Sequence, residues 1–273
     1  MYLSNYTGPA VVQKITITGK QLLTGNKGDG LTVYSQGAIS VTSVTATGNG
    51  VHGVSLWNSY SIATGGITLG GASVLSGNLA GHGAYITSNG PISISSVTAD
   101  SNFYHGISAD NINAATPQNL AISGVNQTND NGIYGVYAVS DGLITINSLT
   151  AKWNGNTGLY AYNDYAAATA GITLTGTNAF VDNEGTADGM YARSNGTVTV
   201  YNVTADRNMG DGLDIVTAGA ITVCRGYTSG NAQYGLRLTA GTTITLKGVW
   251  SAANGSPTDL FSPPTVIRYR ACP

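Results

Sequence analysis

Charged side chains are scarce in this chain: Asp, Glu, Lys and Arg make up 9% of it, Glu184 is its single glutamate, and no basic run occurs. A protein that neutralises phosphates needs clustered Lys and Arg, so a nucleic-acid partner is not expected. Long apolar runs are missing too. None approaches the roughly 20 residues that span a bilayer, so no membrane insertion is expected. The start, Met1-Tyr2-Leu3-Ser4-Asn5, lacks the basic and apolar regions of a secretory signal, so an exported form would carry its signal outside this chain. Two cysteines are too few for a disulfide framework. Cys224 follows Ile221-Thr222-Val223 and Cys272 ends a tail, and both a bridge pinning that tail and a pair of free thiols fit. The sequons Asn5-Tyr6-Thr7 and Asn202-Val203-Thr204 are chance matches in so Thr-rich a chain.

Glycine is plentiful, 38 residues of 273, and Thr, Ser and Asn fill most polar positions. Such a composition would read as disordered without periodic Ile, Val and Leu. The period is explicit. Asparagine recurs at 26, 49, 78, 102, 131, 154, 183, 208, 231 and 254, each close ahead of a glycine. The glycines Gly30, Gly53, Gly83, Gly106, Gly135, Gly158, Gly189, Gly212 and Gly235 are 23, 30, 23, 29, 23, 31, 23 and 23 residues apart. A repeat of this length without helical periodicity predicts a solenoid.

Three strand-like pieces make up each unit. The first follows the glycine and alternates, as in Leu31 and Val33 or Leu159 and Ala161, so it has one buried face. The second is an Ile-x-Val run such as Ile39-Ser40-Val41 or Ile144-Thr145-Ile146, whose middle residue suits an outward β position. The third is a Val-Thr-Ala segment such as Val44-Thr45-Ala46, leading into the asparagine. Three strands per turn predict an all-β, single-stranded parallel β-helix of about ten coils, rising about 4.8 Å per coil. Residues 1–255 form this domain, and 256–273 form a tail with a closing strand at Val266-Ile267-Arg268-Tyr269-Arg270. The stacked asparagines should be buried and bond along their column and to turn backbone. Alternate coils are longer, with loops near 57–66, 110–119 and 163–171 that project from one edge.

The pattern Asn-x-x-x-Gly followed by Gly-x-Ile-Thr-Val and Val-Thr-Ala resembles bacterial right-handed parallel β-helix repeat proteins, the pectin-lyase-like superfamily, over roughly residues 14–255. The resemblance implies a right-handed coil. It is nearly silent on activity, because that superfamily holds polysaccharide lyases, hydrolases and epimerases beside noncatalytic surface proteins. Gly81-His82-Gly83 is similar to the Gly-His-Gly element of polygalacturonases, but the Asn-Thr-Asp, paired-Asp and Arg-Ile-Lys elements are missing.

Three sets of residues are candidates for chemistry or binding. His52, His82 and His105 each precede the strand-opening glycine in consecutive coils and should stack, as a structural column or as a metal or proton-relay site. In later coils the same row holds Asp188 and Asp211, with Asp214 and Arg237 on the neighbouring strand position. These four residues are the catalytic candidates of a polysaccharide lyase or glycoside hydrolase acting on an acidic glycan. A calcium site is their metal alternative, and Asp as a plain turn residue is the structural one. The outward positions of the first strand carry Tyr137, Tyr160 and Tyr191 in adjacent coils, with Trp57 and Tyr162 on the parallel row. Exposed rings beside polar groups suit sugars, and cross-strand stacking is the structural alternative. The leading expectation is a noncatalytic extracellular or cell-surface rod, structural or adhesive. It would bind a polysaccharide or other cell-surface component on its aromatic face, need no cofactor, and have open ends suited to end-to-end self-association.

Overall fold

Alternation along each first strand places one side chain of every pair inward, and stacking equivalent strands turns these into columns. In the computed structural model, which describes residues 1–5, 13–60, 65–165, 170–262 and 265–272, eleven such strands form one parallel sheet, from Tyr2–Ser4 to Leu260–Ser262. Leu31 lies opposite Val54, Ile107 opposite Val136, Val136 opposite Leu159, and Leu213 opposite Leu236. All of these side chains are fully buried, which is the column expected from the sequence. A one-residue slip would turn every one of them to solvent, so the apolar row fixes the register.

The Ile-x-Val and Val-Thr-Ala pieces lie in a second parallel sheet of 19 strands. In most coils they are separate short strands. In two coils they run on as one, Val198–Asp206 and Ile221–Ser229, bending at Asn202 and Arg225, which have φ of +47° and +57°. With eleven coils at about 4.8 Å each, the rod is about 50 Å long. The described residues contain no helix. The second sheet also takes in Thr265–Tyr269, which pairs with Thr243–Lys247. Cys224 and Cys272 are joined by a disulfide, which ties the tail back across the last coils.

The corner leading into the first sheet is built the same way in every coil. The residue just before the ladder asparagine is left-handed whether it is glycine (Gly25, Gly48, Gly77, Gly230) or not (Ser101, Asp130, Trp153, Asp182, Arg207, Ala253). The asparagine then turns inward. From Asn26 to Asn231 each Nδ2 and each backbone N–H donates to the Oδ1 of the next coil's asparagine, and the ladder ends at Asn254. Asn131 to Asn154, for example, does so at 3.0 and 3.1 Å, and Asn208 to Asn231 at 2.9 and 3.0 Å. Asn208 Nδ2 also donates to the Phe180 carbonyl at 3.0 Å. The recurrent glycine is explained by this packing. A β-carbon at Gly106 would lie 2.7 Å from the carbonyl oxygens of Ala99 and Gly135 and 2.9 Å from Asn131 Nδ2.

Coil length is set at the far end of the first strand. In short coils a buried serine or threonine there accepts the N–H two residues on: Ser88 from Gly90, Ser140 from Gly142, Ser194 from Gly196, each at 3.0 Å. In long coils the same position holds Asn58, Asn111 or Asn163, whose Nδ2 reaches across the base of the loop. Asn111 bonds to the Gln118 carbonyl at 3.0 Å, Asn163 to the Ala170 carbonyl at 2.9 Å, and Asn58 to the Gly65 carbonyl. The loop residues 61–64 and 166–169, the remainder of the sequon at Asn5 and the pair Pro263-Pro264 lie outside the described residues.

Candidate functional site

The outer face of the first sheet collects every candidate side chain, because the position before the glycine and the second and fourth positions after it all point away from the core. A parallel ladder places equivalent residues one strand spacing apart, so aromatic side chains in one row must stack. Tyr137 and Tyr160 have ring centroids 5.3 Å apart and Tyr160 and Tyr191 5.0 Å apart, with interplanar angles of 16° and 20°. Their exposure corrects the expectation of free-standing rings. All three are half-buried, their faces are largely covered by one another, and what they offer to solvent is a band of ring edges and hydroxyls. Burial and the neighbouring tyrosine hydroxyls push the Tyr160 phenol up to about 12, so the ring at the centre of the row is uncharged at neutral pH.

Trp57 and Tyr162 share the outer row of the register but are not neighbours, since Thr87, Asp110 and Val139 stand between them. Tyr162 lies 6.3 Å from Tyr160 and has Arg193 at 6.0 Å, itself bonded to Asp164. Trp57 packs against Tyr34 and Tyr85 at 6.0 and 5.2 Å and donates from Nε1 to Ser55 Oγ at 2.7 Å. The histidines close the gap between the two groups. His82 lies 5.3 Å from Tyr85 and 4.7 Å from His105, and His105 lies 5.5 Å from Tyr137. The result is an aromatic band running from Tyr2 to Tyr191. Tyr134, 4.9 Å from His105 and 5.2 Å from Tyr160, is a member that the sequence reasoning did not single out. Its position before Gly135, in the histidine row, was the available signal.

The histidines hold backbone. His52 Nδ1 accepts the N–H of His82 at 3.0 Å, His82 Nδ1 that of His105 at 3.1 Å, and His105 Nδ1 that of Tyr134 at 3.2 Å. An accepting nitrogen must be unprotonated, so each imidazole is neutral with its proton on Nε2. Burial lowers all three pKa values. His82, next to two other imidazoles, falls to about 3, and His105 falls to about 4; Asp29 partly opposes the fall at His52. Asp residues do the same job elsewhere in the row. Asp29 Oδ1 accepts from His52 at 3.0 Å, Asp188 Oδ1 from Asp211 at 2.8 Å, and Asp211 Oδ1 from Tyr234 at 2.8 Å.

The four catalytic candidates come together at the end of the tyrosine row. Tyr191 is in register with Asp214, and Asp214 with Arg237. Arg237 Nη1 lies 3.6 Å from both Asp211 Oδ2 and Asp214 Oδ2. Asp211 is 1% exposed and Asp214 6%, and Asp214 Oδ1 has no hydrogen-bond partner. Burial raises Asp188 to about 7, with Asp214 and Asp211 adding to the rise while the bond from the Asp211 N–H and Arg237 oppose it. Burial likewise raises Asp214 to about 6 against the pull of Arg237. Among the described residues no group of three or more His, Cys, Asp or Glu side chains is arranged to hold a metal ion, so the geometry gives the calcium alternative no support.

A family model described as a right handed beta helix region matches residues 113–255, more than half of the 273-residue chain. Neither the curated proteins nor the solved structures gave a match. The matched segment takes in six of the ladder asparagines, the tyrosine row and the Asp–Arg cluster, and its coils are those described above. The chain therefore belongs to the right-handed β-helix family.

Proposed function

We propose that this chain is a noncatalytic structural or adhesive rod, working outside the cell or at its surface, that offers the outer face of its first sheet to a polysaccharide. One observation carries the noncatalytic part: of the groups from which acids and bases would be drawn, all but Asp214, namely His52, His82, His105, Asp188 and Asp211, spend an acceptor atom on a backbone N–H of the next coil. A group fixed in this way is a poor proton shuttle, because changing its protonation state at that atom breaks a main-chain hydrogen bond. The aromatic band supports the binding part. It runs along the rod axis with a step close to one sugar unit, and weak contacts repeated along a chain add up through effective concentration. The Cys224–Cys272 bridge fits an oxidising compartment.

A glycan array probed with the purified chain, paired with reducing-sugar and unsaturated-product assays on acidic polysaccharides, tests this reading. Binding without turnover is expected, and Tyr160→Ala should weaken it while the fold persists. A second reading, a polysaccharide lyase or glycoside hydrolase, is favoured by the unpartnered Asp214 Oδ1 beside Asp188, a carboxyl that titrates near neutrality. Turnover abolished by Asp214→Asn would establish it in place of the first.

A further inference from the structure

We infer that the groove beside Phe103, around the corner from the aromatic band, is a second carbohydrate site that takes an uncharged sugar ring; the inference rests on the carbohydrate-binding reading above and names the kind of glycan. The groove has a volume of about 570 Å³ and is lined by Leu79, Phe103, Tyr104, Ile133, Ser101 and Asp130, among others.

Its shape follows from the column one residue after the ladder asparagine. Most coils place a small or polar residue there, but Leu79 and Phe103 stand in adjacent coils, and Gly132 follows them. Gly132 is required by backbone approach, since a β-carbon would lie 2.1 Å from the Phe103 carbonyl oxygen. The glycine leaves a floor open beside the phenyl ring. Phe103 is 56% exposed and Leu79 68%. Among the described rings Phe103 meets only Tyr104, edge to face at 4.9 Å and 78°, so one ring face stays open to solvent.

Three features select a sugar. An open phenyl face suits the apolar C–H face of a pyranose. Ser101 and Asp130 set a hydroxyl and a carboxylate on the rim, where sugar hydroxyls need partners. Both residues are held in the left-handed conformation that turns each coil, with φ of +58° and +54°, so the rim is preorganised rather than recruited. Charge then decides between kinds of glycan. The lining contains one carboxylate and no Lys or Arg, so an acidic sugar would be repelled and a neutral one would not. The groove is also continuous with the band, because Tyr104 lies 5.5 Å from His82, so one glycan chain can engage both surfaces.

The test is titration of the full chain with cellohexaose, xylohexaose, mannohexaose and oligogalacturonate, comparing the parent with Phe103→Ala, Phe103→Leu and Tyr160→Ala, each checked by circular dichroism and melting temperature. Expected are binding of a neutral hexaose in preference to oligogalacturonate, and a loss of about three- to tenfold in affinity in both Phe103 variants. Phe103→Leu keeps apolar bulk and removes only the ring, so it guards against a folding artefact. Normal affinity in both Phe103 variants alongside weakened binding in Tyr160→Ala would overturn the groove and leave the carbohydrate reading standing. Binding confined to oligogalacturonate would do the same. Failure of the parent to bind any glycan, here and on the array, would overturn both.

Discussion

His82 accepts the backbone N–H of His105 through Nδ1 at 3.1 Å, so an imidazole here stands in for a main-chain acceptor between two coils. Protonating it would replace an acceptor with a donor facing a donor. The folded-state pKa values of His82 and His105, about 3 and about 4, lie below the unfolded value of 6.5. The unfolded chain therefore binds protons first as pH falls, and the stability present above pH 6.5 is lost progressively down to pH 3–4. Melting temperature measured across this range should fall. His82→Asn, which keeps an acceptor that does not titrate, should flatten part of the fall, and an unchanged profile would remove the histidine ladder as its cause.

Asp214 behaves in the opposite sense. Its folded pKa, raised to about 6 from 3.8, means that the folded state holds a proton that the unfolded chain gives up. Stability from this source is fully present below pH 3.8 and is lost as pH rises through about 6. Asp214→Asn should raise the melting temperature at pH 8 relative to the parent and leave it nearly unchanged at pH 4. The slope that remains near neutrality belongs to Asp188.

Breaking the asparagine ladder inside the stack should be costly. Asn208→Leu removes the Oδ1 that accepts from the Asn183 N–H and Nδ2 at 3.1 and 2.8 Å, which leaves that N–H without an acceptor, and it takes from Asn231 Oδ1 the Nδ2 donor at 2.9 Å, so that only the Asn208 N–H remains on it. A loss of about 1–3 kcal/mol is expected in denaturant titration, with Asn208→Asp falling between parent and Leu.

Left-handed corners filled by residues with a β-carbon store strain. Ala253 has φ of +55° and is exposed, so no packing compensates there. Ala253→Gly should stabilise the last coils by about 1 kcal/mol, seen as slower amide exchange in Trp250–Ala252 and their partners Tyr227, Thr228 and Ser229.

The repeat, the three strands per coil and the inward columns were legible in the sequence, because parallel stacking demands the same residue type at the same place in each unit. Leu31 to Leu236 and Asn26 to Asn254 could be aligned by spacing alone. The lengths of alternate coils were equally visible. Their cause was not, because the contrast between Ser88 or Ser140 and Asn58 or Asn111 acquires meaning only when an amide is seen reaching seven residues across a loop. The outer face divides in the same way. Sequence placed Tyr137, Tyr160 and Tyr191 in one row and brought Asp188, Asp211, Asp214 and Arg237 near each other. The tertiary structure decided how each group is used: rings a strand spacing apart must cover one another's faces, and acceptors a strand spacing apart must serve the N–H of the next coil. Register is a property of the repeat and can be read from one dimension. Whether Nδ1 of His82 faces a backbone donor, or a ring face at Phe103 meets water, depends on corner geometry and on the gap left by Gly132, which exist only once the coils are stacked.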